Sequence, residues 1–330
     1  MADIPIVDFS AYSSPGSQRD KISVAKDIDH AFQVKGFVYL KNHGISQQRV
    51  EECFHWSKSF FALPLETKNL APHPPGGAHH RGYSAPGLEK VSQNQFDANE
   101  LTKAREIPDY KESFESGNVD DELQPNIWPP DSVLPGFREF MEGFFTDCEN
   151  LLHRILDALS EALNVEGTLS ATHRRSLFQL RLLHYPRIAV EELEQGRRSR
   201  INAHSDFGTL TLLFQDSVGG LEVEDPHQPG VFRPVQPVED AVLVNIGDLM
   251  ARWSNDRWKS TVHRVVSPPA NGGHLVPDRY SIPFFATADP NTVIEALPGC
   301  WSCLNPKKYE SVTAWGYVQM RMAALYKEKE

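Results

Sequence analysis

Apolar positions recur at helical spacing through the first half of the chain and at strand spacing through much of the second. "IPIVDFS" reads as a short strand, and "SQRDKISVAKDIDHAFQVKGF" as an amphipathic helix that stops near Gly36. "GFVYLKNHGI" reads as a strand and turn, and "QRVEECFHWSKSFFALPLETK" as helix until Pro64. Residues 71–87, "APHPPGGAHHRGYSAPG", read as a long Pro/Gly/His loop. His73, His79 and His80 could bind a metal there, and a plain surface loop is the simpler expectation.

The longest helical pattern runs from about Phe137 to Leu163. Phe137, Phe140, Met141, Phe144, Phe145, Cys148, Leu151, Leu152, Ile155, Leu156, Leu159 and Leu163 line one face. Such a helix is about 40 Å long at 1.5 Å per residue. Its apolar stripe must be covered by a sheet or another helix, so it is read as scaffold.

From Leu177 to about Phe285 the pattern changes to short β-rich runs separated by turns. These are "LFQLRLLHYP", "TLTLLFQD", "GLEVED", "AVLVNIGD", "STVHRVVS" and "YSIPFFAT". No helices intervene, as a parallel sheet would need, so an antiparallel barrel or jelly roll is expected. "KYESVTAWGYVQMRMAALYKEKE" closes the chain as a helix. The fold class is therefore α+β.

Composition narrows the function. The 330 residues are 40% hydrophobic and 23% charged, as in an ordinary globular protein. A net charge of -11 argues against nucleic acid or an anionic membrane as the main partner. Arg197, Arg198 and Arg200 are expected on a solvated loop face. No signal peptide or transmembrane segment is read, and four cysteines suit a reducing cytoplasm. Cys300-Trp-Ser-Cys303 has C-x-x-C spacing but lacks a second close pair for zinc and a βαβ setting for redox work. Free thiols are expected.

The chemistry concentrates in "RINAHSDFGTLTLL". Side chains alternate along a strand, so His204 and Asp206 would point one way and Ser205 the other. Alone, a His-x-Asp reads first as a histidine oriented by a carboxylate and only second as half a metal site. "WKSTVHRVVSPP" adds His263, sharing a face with Thr261 and Val265. Two imidazoles and one carboxylate with open positions are the ligand set of non-haem Fe(II) oxygenases, without excluding zinc or manganese. In "DRYSIPFF", Arg279 and Ser281 share a face and Tyr280 turns away. A guanidinium fork beside a hydroxyl suits a carboxylate, such as the far end of a keto-acid. Asp248, after Gly247, is read as a turn former.

These motifs together resemble the 2-oxoglutarate- and Fe(II)-dependent dioxygenases of the isopenicillin-N-synthase-like superfamily. "IPIVDFS", "GFVYLKNHGI", "SFFALPLETK" and "RGYSAPG" look like its N-terminal region. "HSDFGTLTLLFQDSVGGLEV", "LVNIGDLMARWSNDRWKSTVHRVVSP" and "RYSIPFF" look like its catalytic core, and "NPKKYESVTAWGYV" like its C-terminal segment. The resemblance implies a double-stranded β-helix, a distorted jelly roll, flanked by helices. It divides the chain at residue 120 into an N-terminal region (1–120) and a catalytic region (121–330), packed as one unit.

It further implies His204, Asp206 and His263 as iron ligands, and Arg279 and Ser281 as holders of the distal 2-oxoglutarate carboxylate. Tyr185 falls where many members carry an aromatic hydroxyl near the co-substrate. Many plant members have Asn two positions before that Tyr, where this chain has Leu183. Arg181, on the face of Leu183 and Tyr185, is weighed evenly between a structural ion pair and a place facing co-substrate or substrate. Phe207 and Tyr83 are further candidates to line the substrate pocket. The implied reaction converts 2-oxoglutarate and O₂ to succinate and CO₂. It couples that to hydroxylation, desaturation, cyclisation or rearrangement of a small organic molecule, as in secondary metabolism, with ascorbate as a possible reductant. A monomer is expected. Rival readings are an Fe(II) oxidase of the same superfamily without 2-oxoglutarate, a non-catalytic barrel that binds ligands, and a zinc hydrolase or isomerase.

Overall fold

The computed structural model describes residues 1–14, 17–75, 79–87, 109–165, 167–175, 177–195, 197–267 and 274–326. Residues 76–78 of the expected Pro/Gly/His loop and residues 327–330, the end of the expected C-terminal helix, lie outside them. Among the described residues no helix is long and apolar enough to cross a membrane.

Two sheets form the centre of an α+β jelly roll. The larger is built from β1 (Ile6–Asp8), β2 (Phe37–Lys41), β3 (Gly82–Ser84), β4 (Glu112–Gly117), β5 (Gln179–Tyr185), β8 (Leu210–Gln215), β11 (Ala241–Ile246) and β14 (Arg279–Ala286). Its order is β1-β2-β11-β8-β14-β5-β4-β3. β1 runs parallel to β2 and the other neighbours are antiparallel. Strands from residues 1–120 and from 121–330 thus share one sheet. The smaller sheet has the order β10-β9-β12-β7, with β7 (Ile201–His204), β9 (Leu221–Asp225), β10 (Gln228–Pro234) and β12 (His263–Val265). Two-residue strands β6 (Ile188–Ala189), β13 (Leu275–Val276), β15 (Val293–Ile294) and β16 (Val312–Thr313) make small pairs at the edges.

Alternation divides the large sheet into two chemically different faces. Leu180 and Leu182 of β5, Leu210, Leu212 and Phe214 of β8, Val242, Val244 and Ile246 of β11, and Ile282 and Phe284 of β14 belong to one apolar core. The same core takes the stripe of the helix Phe137–Ala162, whose extent matches the sequence pattern. Phe144 meets Phe214 edge-on at 5.6 Å and Phe145 meets Phe284 at 5.2 Å. The opposite face looks across the barrel to the small sheet. There Phe37, Tyr39, Leu183, Tyr185 and Leu243 pack on Leu221, Val223 and Val265.

The helix Gln18–Val34 starts where Ser17 accepts a hydrogen bond from the Asp20 amide, and it stops before Gly36. Gly36 has φ +70°, and a Cβ there would lie 2.2 Å from the Lys259 carbonyl oxygen. Only glycine lets this turn approach the 259–261 segment that leads to His263.

Four differences from the sequence pattern bear on the site. β4 reads "ESFESG", with one apolar residue, yet all six positions are buried. Asp206 lies in the turn 205–209 after β7, because the strand stops at His204. The strand around His263 is limited to His263–Val265, and Thr261 precedes it, donating its hydroxyl to the Lys35 carbonyl at 2.8 Å. Arg200 is buried at 1% exposure, not on a solvated face. Its guanidinium sits over the Tyr185 ring and donates to the Pro277 carbonyl at 3.0 Å. All four cysteines are free, with Cys303 exposed and the others buried.

Candidate active site

β7 and β12 pair so that His204 lies opposite His263, with ring centroids 4.4 Å apart. Asp206 Oδ1 lies 3.9 Å from His204 Nε2 and 3.8 Å from His263 Nε2. The three ligand atoms fall within 4.8 Å of one another, which suits one metal ion. The tautomers suit it too. His204 Nδ1 lies 2.9 Å from the Asn202 carbonyl and His263 Nδ1 3.2 Å from the Thr261 carbonyl. A carbonyl only accepts, so each Nδ1 carries the proton and each Nε2 presents its lone pair to Asp206. Burial, and then His263, push the His204 imidazole well down, which keeps it neutral.

The carboxylate is oriented from behind. Asp206 Oδ2 accepts from Thr211 Oγ1 at 2.6 Å and from Asn245 Nδ2 at 2.8 Å, leaving Oδ1 to the imidazoles. Burial acts to raise the Asp206 carboxyl, but His263, His204, Asn245 and Thr211 outweigh it and hold it low. Two imidazole nitrogens and a monodentate carboxylate fit Fe(II) by donor chemistry.

The turn carrying Asp206 is held tightly. Gly208 admits the chain where a Cβ would come 2.1 Å from the Ala286 carbonyl oxygen. The Asp248 amide donates to the Asp206 carbonyl at 2.7 Å. The Asp248 carboxylate accepts from Ser205, Ser260 and Arg321 and so braces the turn. Arg321, from the C-terminal helix Ala314–Tyr326, also covers the Phe207 ring at 4.5 Å. His173 supports the turn from the helix side: Nδ1 donates to the Leu169 carbonyl, and Nε2 accepts from Thr209 Oγ1 at 2.9 Å. Burial pushes its imidazole down to about 4.

On the facing sheet Arg279 and Ser281 share the inner face of β14, 1% exposed each, and Tyr280 faces outward, stacked on His184 at 4.5 Å. The Arg279 guanidinium donates from Nε to the Gly219 carbonyl at 2.8 Å and toward Gln215 Oε1 at 3.3 Å. Its Nη1 lies 3.1 Å from Ser281 Oγ, so fork and hydroxyl form one polar patch. Tyr185, opposite Arg279 in the register, lies under that guanidinium at 4.9 Å and under Arg200 at 5.5 Å.

Arg181 lies on the inner face of β5 and makes an ion pair with Glu115 of β4 at 2.9 Å, with Ser113 Oγ 3.2 Å away. Lys111, just before β4 and 3% exposed, is close enough to act on the His204 imidazole. Lys111, Ser113 and Glu115 escaped the sequence reading because a buried polar strand has no hydrophobic alternation to announce it. Tyr83 leaves the set of pocket candidates. It sits on β3 opposite Phe114, in the helix-side core, with its hydroxyl donating to Glu112 Oε2 at 2.6 Å. Glu112 also pairs with Lys68 and His184 at 2.7 Å each, so Tyr83 belongs to a structural network.

Comparison with known proteins agrees with this geometry. A family model described as the 2OG-Fe(II) oxygenase superfamily matches residues 178–288. Another, described as non-haem dioxygenase in morphine synthesis N-terminal, matches residues 4–131. The chain belongs to the 2-oxoglutarate- and Fe(II)-dependent dioxygenases, and it is an oxidoreductase that uses Fe(II), 2-oxoglutarate and O₂. The 2-oxoglutarate-dependent dioxygenase frbA of Dothideomycetidae sp. (strain 11243) is 40% identical over 98% of this chain and 97% of its own. The proline hydroxylase buaE of Petromyces alliaceus is 41% identical over 98% and 100%. A full-length Neurospora crassa protein crystallised with alpha-KG (2-oxoglutarate) superposes with a TM-score of 0.87 at 40% identity, covering 98% of this chain and 96% of that one. A second structure of the same Neurospora crassa protein also contains thymine.

Proposed function

We propose that His204, Asp206 and His263 hold the iron, that Arg279 and Ser281 hold the distal carboxylate of 2-oxoglutarate, and that Tyr185 flanks it. The observation that carries this is a His/Asp/His cluster formed by two strands of the small sheet and the turn after β7, with a buried guanidinium–hydroxyl patch on the other sheet. When bound, Fe(II) with 2-oxoglutarate supplies O₂ activation, which turns the keto-acid into succinate and CO₂ and oxidises the substrate.

The chain's own residues do the rest. Thr211 and Asn245 keep Asp206 turned to the iron, and the Asn202 and Thr261 carbonyls keep each histidine in the ligating tautomer. Leu213, Leu221, Val223 and Leu243 keep water from the space between the sheets. Arg181 and Phe207 face the substrate, with Lys111, Ser113 and Glu115 extending the polar wall. That wall suits a small, hydrogen-bonding organic molecule. The relatives point the same way, since one is named a proline hydroxylase and the Neurospora crassa protein has been crystallised with thymine and with 5-formyluracil. Hydroxylation is the outcome we favour on that ground. The enzyme acts as a monomer in a reducing cytoplasm, residues 1–120 and 121–330 forming one unit, with neither nucleic acid nor membrane as partner.

The test is the visible spectrum of the chain with Fe(II) and 2-oxoglutarate under nitrogen. A keto-acid chelated to iron gives a weak charge-transfer band, expected in the wild type, lost in Asp206→Ala, and reached in Arg279→Ala only at about 10–100-fold higher 2-oxoglutarate. An unchanged band in both variants would overturn the assignment.

A further inference from the structure

A second cluster of metal-ligating side chains lies on β4. Segments 73–75 and 79–80 bring His73 and His80 over Glu115, and one ligand atom from each falls within 4.8 Å of the other two. Glu115 is fully buried. Its Oε1 takes the Arg181 guanidinium at 2.9 Å, and its Oε2 lies 3.5 Å from His80 Nδ1. Asp206 divides its oxygens in the same way, one held by donors and one turned to imidazole.

The histidines are prepared for a ligating role. His73 Nδ1 lies 2.6 Å from the Pro74 carbonyl, so that nitrogen carries the proton and Nε2 keeps the lone pair. His80 Nδ1 is buried and makes no hydrogen bond. A buried ring nitrogen left so is costly, and a cation between it and the carboxylate would satisfy it. Hydrogen bonds tie the described backbone on either side of the cluster. The His73 amide donates to the Tyr83 carbonyl at 2.9 Å, and Arg81 ties the segment to Asp121 at 2.8 Å and to the Gln124 carbonyl at 2.9 Å.

We propose that His73 Nε2, His80 Nδ1 and Glu115 Oε2 form a second divalent-metal site, separate from His204, Asp206 and His263. Two imidazoles and a carboxylate suit Zn²⁺, with water completing a tetrahedron. The ion would pin His73 and His80 to β4 beside Arg181, leaving the guanidinium its own carboxylate oxygen.

Zinc alone is the probe, titrated calorimetrically into the metal-free full-length chain. The wild type should take two equivalents, and the double variant His204→Ala/Asp206→Ala should take one. Adding His73→Ala or His80→Ala to that double variant should weaken the remaining site at least tenfold, with the circular dichroism spectrum unchanged. A wild-type chain that binds a single equivalent overturns the proposal without any variant. So does a remaining equivalent whose affinity ignores both histidine substitutions.

Discussion

The eight residues of β14 contain both halves of this molecule. Ile282, Phe284 and Ala286 face the helices, where Phe284 packs edge-on against Phe145 and Phe178. Arg279 and Ser281 face the small sheet and the His204/Asp206/His263 cluster. The outer face asks for volume, and a residue of similar size and apolarity would serve. The inner face asks for particular atoms at particular places. Its buried polar groups are tolerated because each meets a partner or awaits a charged ligand. β5 repeats the division, with Leu180 and Leu182 outward and Arg181 and Tyr185 inward.

If the faces are separable, stability and chemistry should fail independently. The largest effect belongs to the outer face. Phe284→Ala should cost about 3–5 kcal/mol of stability in urea unfolding, through lost burial and the cavity left behind. The folded fraction should still bind Fe(II) and 2-oxoglutarate as the wild type does.

Asp206→Ala should do the opposite, leaving the fold intact and lowering turnover by more than about 100-fold. Loss of a residue that merely orients a metal ligand already costs about 10–100-fold in metal affinity or activity. Turnover that survives this change would break the inner-face assignment.

Acid provides a third test. On the outer side His43 and His173 are both pushed down to about 4, in each case chiefly by burial. The unfolded chain protonates them near 6.5, so it binds more protons than the folded chain between that pH and 4. Stability is therefore present in full above about 6.5 and is lost as pH falls toward 4, by about 3 kcal/mol for each histidine with a shift of this size. Unfolding measured from about pH 7.5 down to about 4.5 should show the slope, and His173→Asn should flatten it.

The smallest effect concerns the clamp. Arg279→Ala should weaken 2-oxoglutarate by about 10–100-fold, the worth of a charged hydrogen bond at about 1.5–3 kcal/mol. Titration of the charge-transfer band measures it. Substrate affinity, read separately, should change far less.

Sequence alone was sufficient for elements whose pattern is local. The stripe of Phe137–Ala162, the alternation of β8 and β14, and the motifs carrying His204, Asp206, His263, Arg279 and Ser281 are written in neighbouring residues. Tertiary structure alone decided the rest, because the deciding partners are distant in the chain. Nothing near Glu115 announces Arg181, and nothing near Arg200 announces the Tyr185 ring. Nothing in the Tyr83 motif shows that its hydroxyl meets Glu112 and that its ring lies in the helix-side core. A polar strand such as β4 is tolerated in the interior because partners such as Lys68, His184 and Arg181 meet its carboxylates, and those partners come together only when the sheet closes.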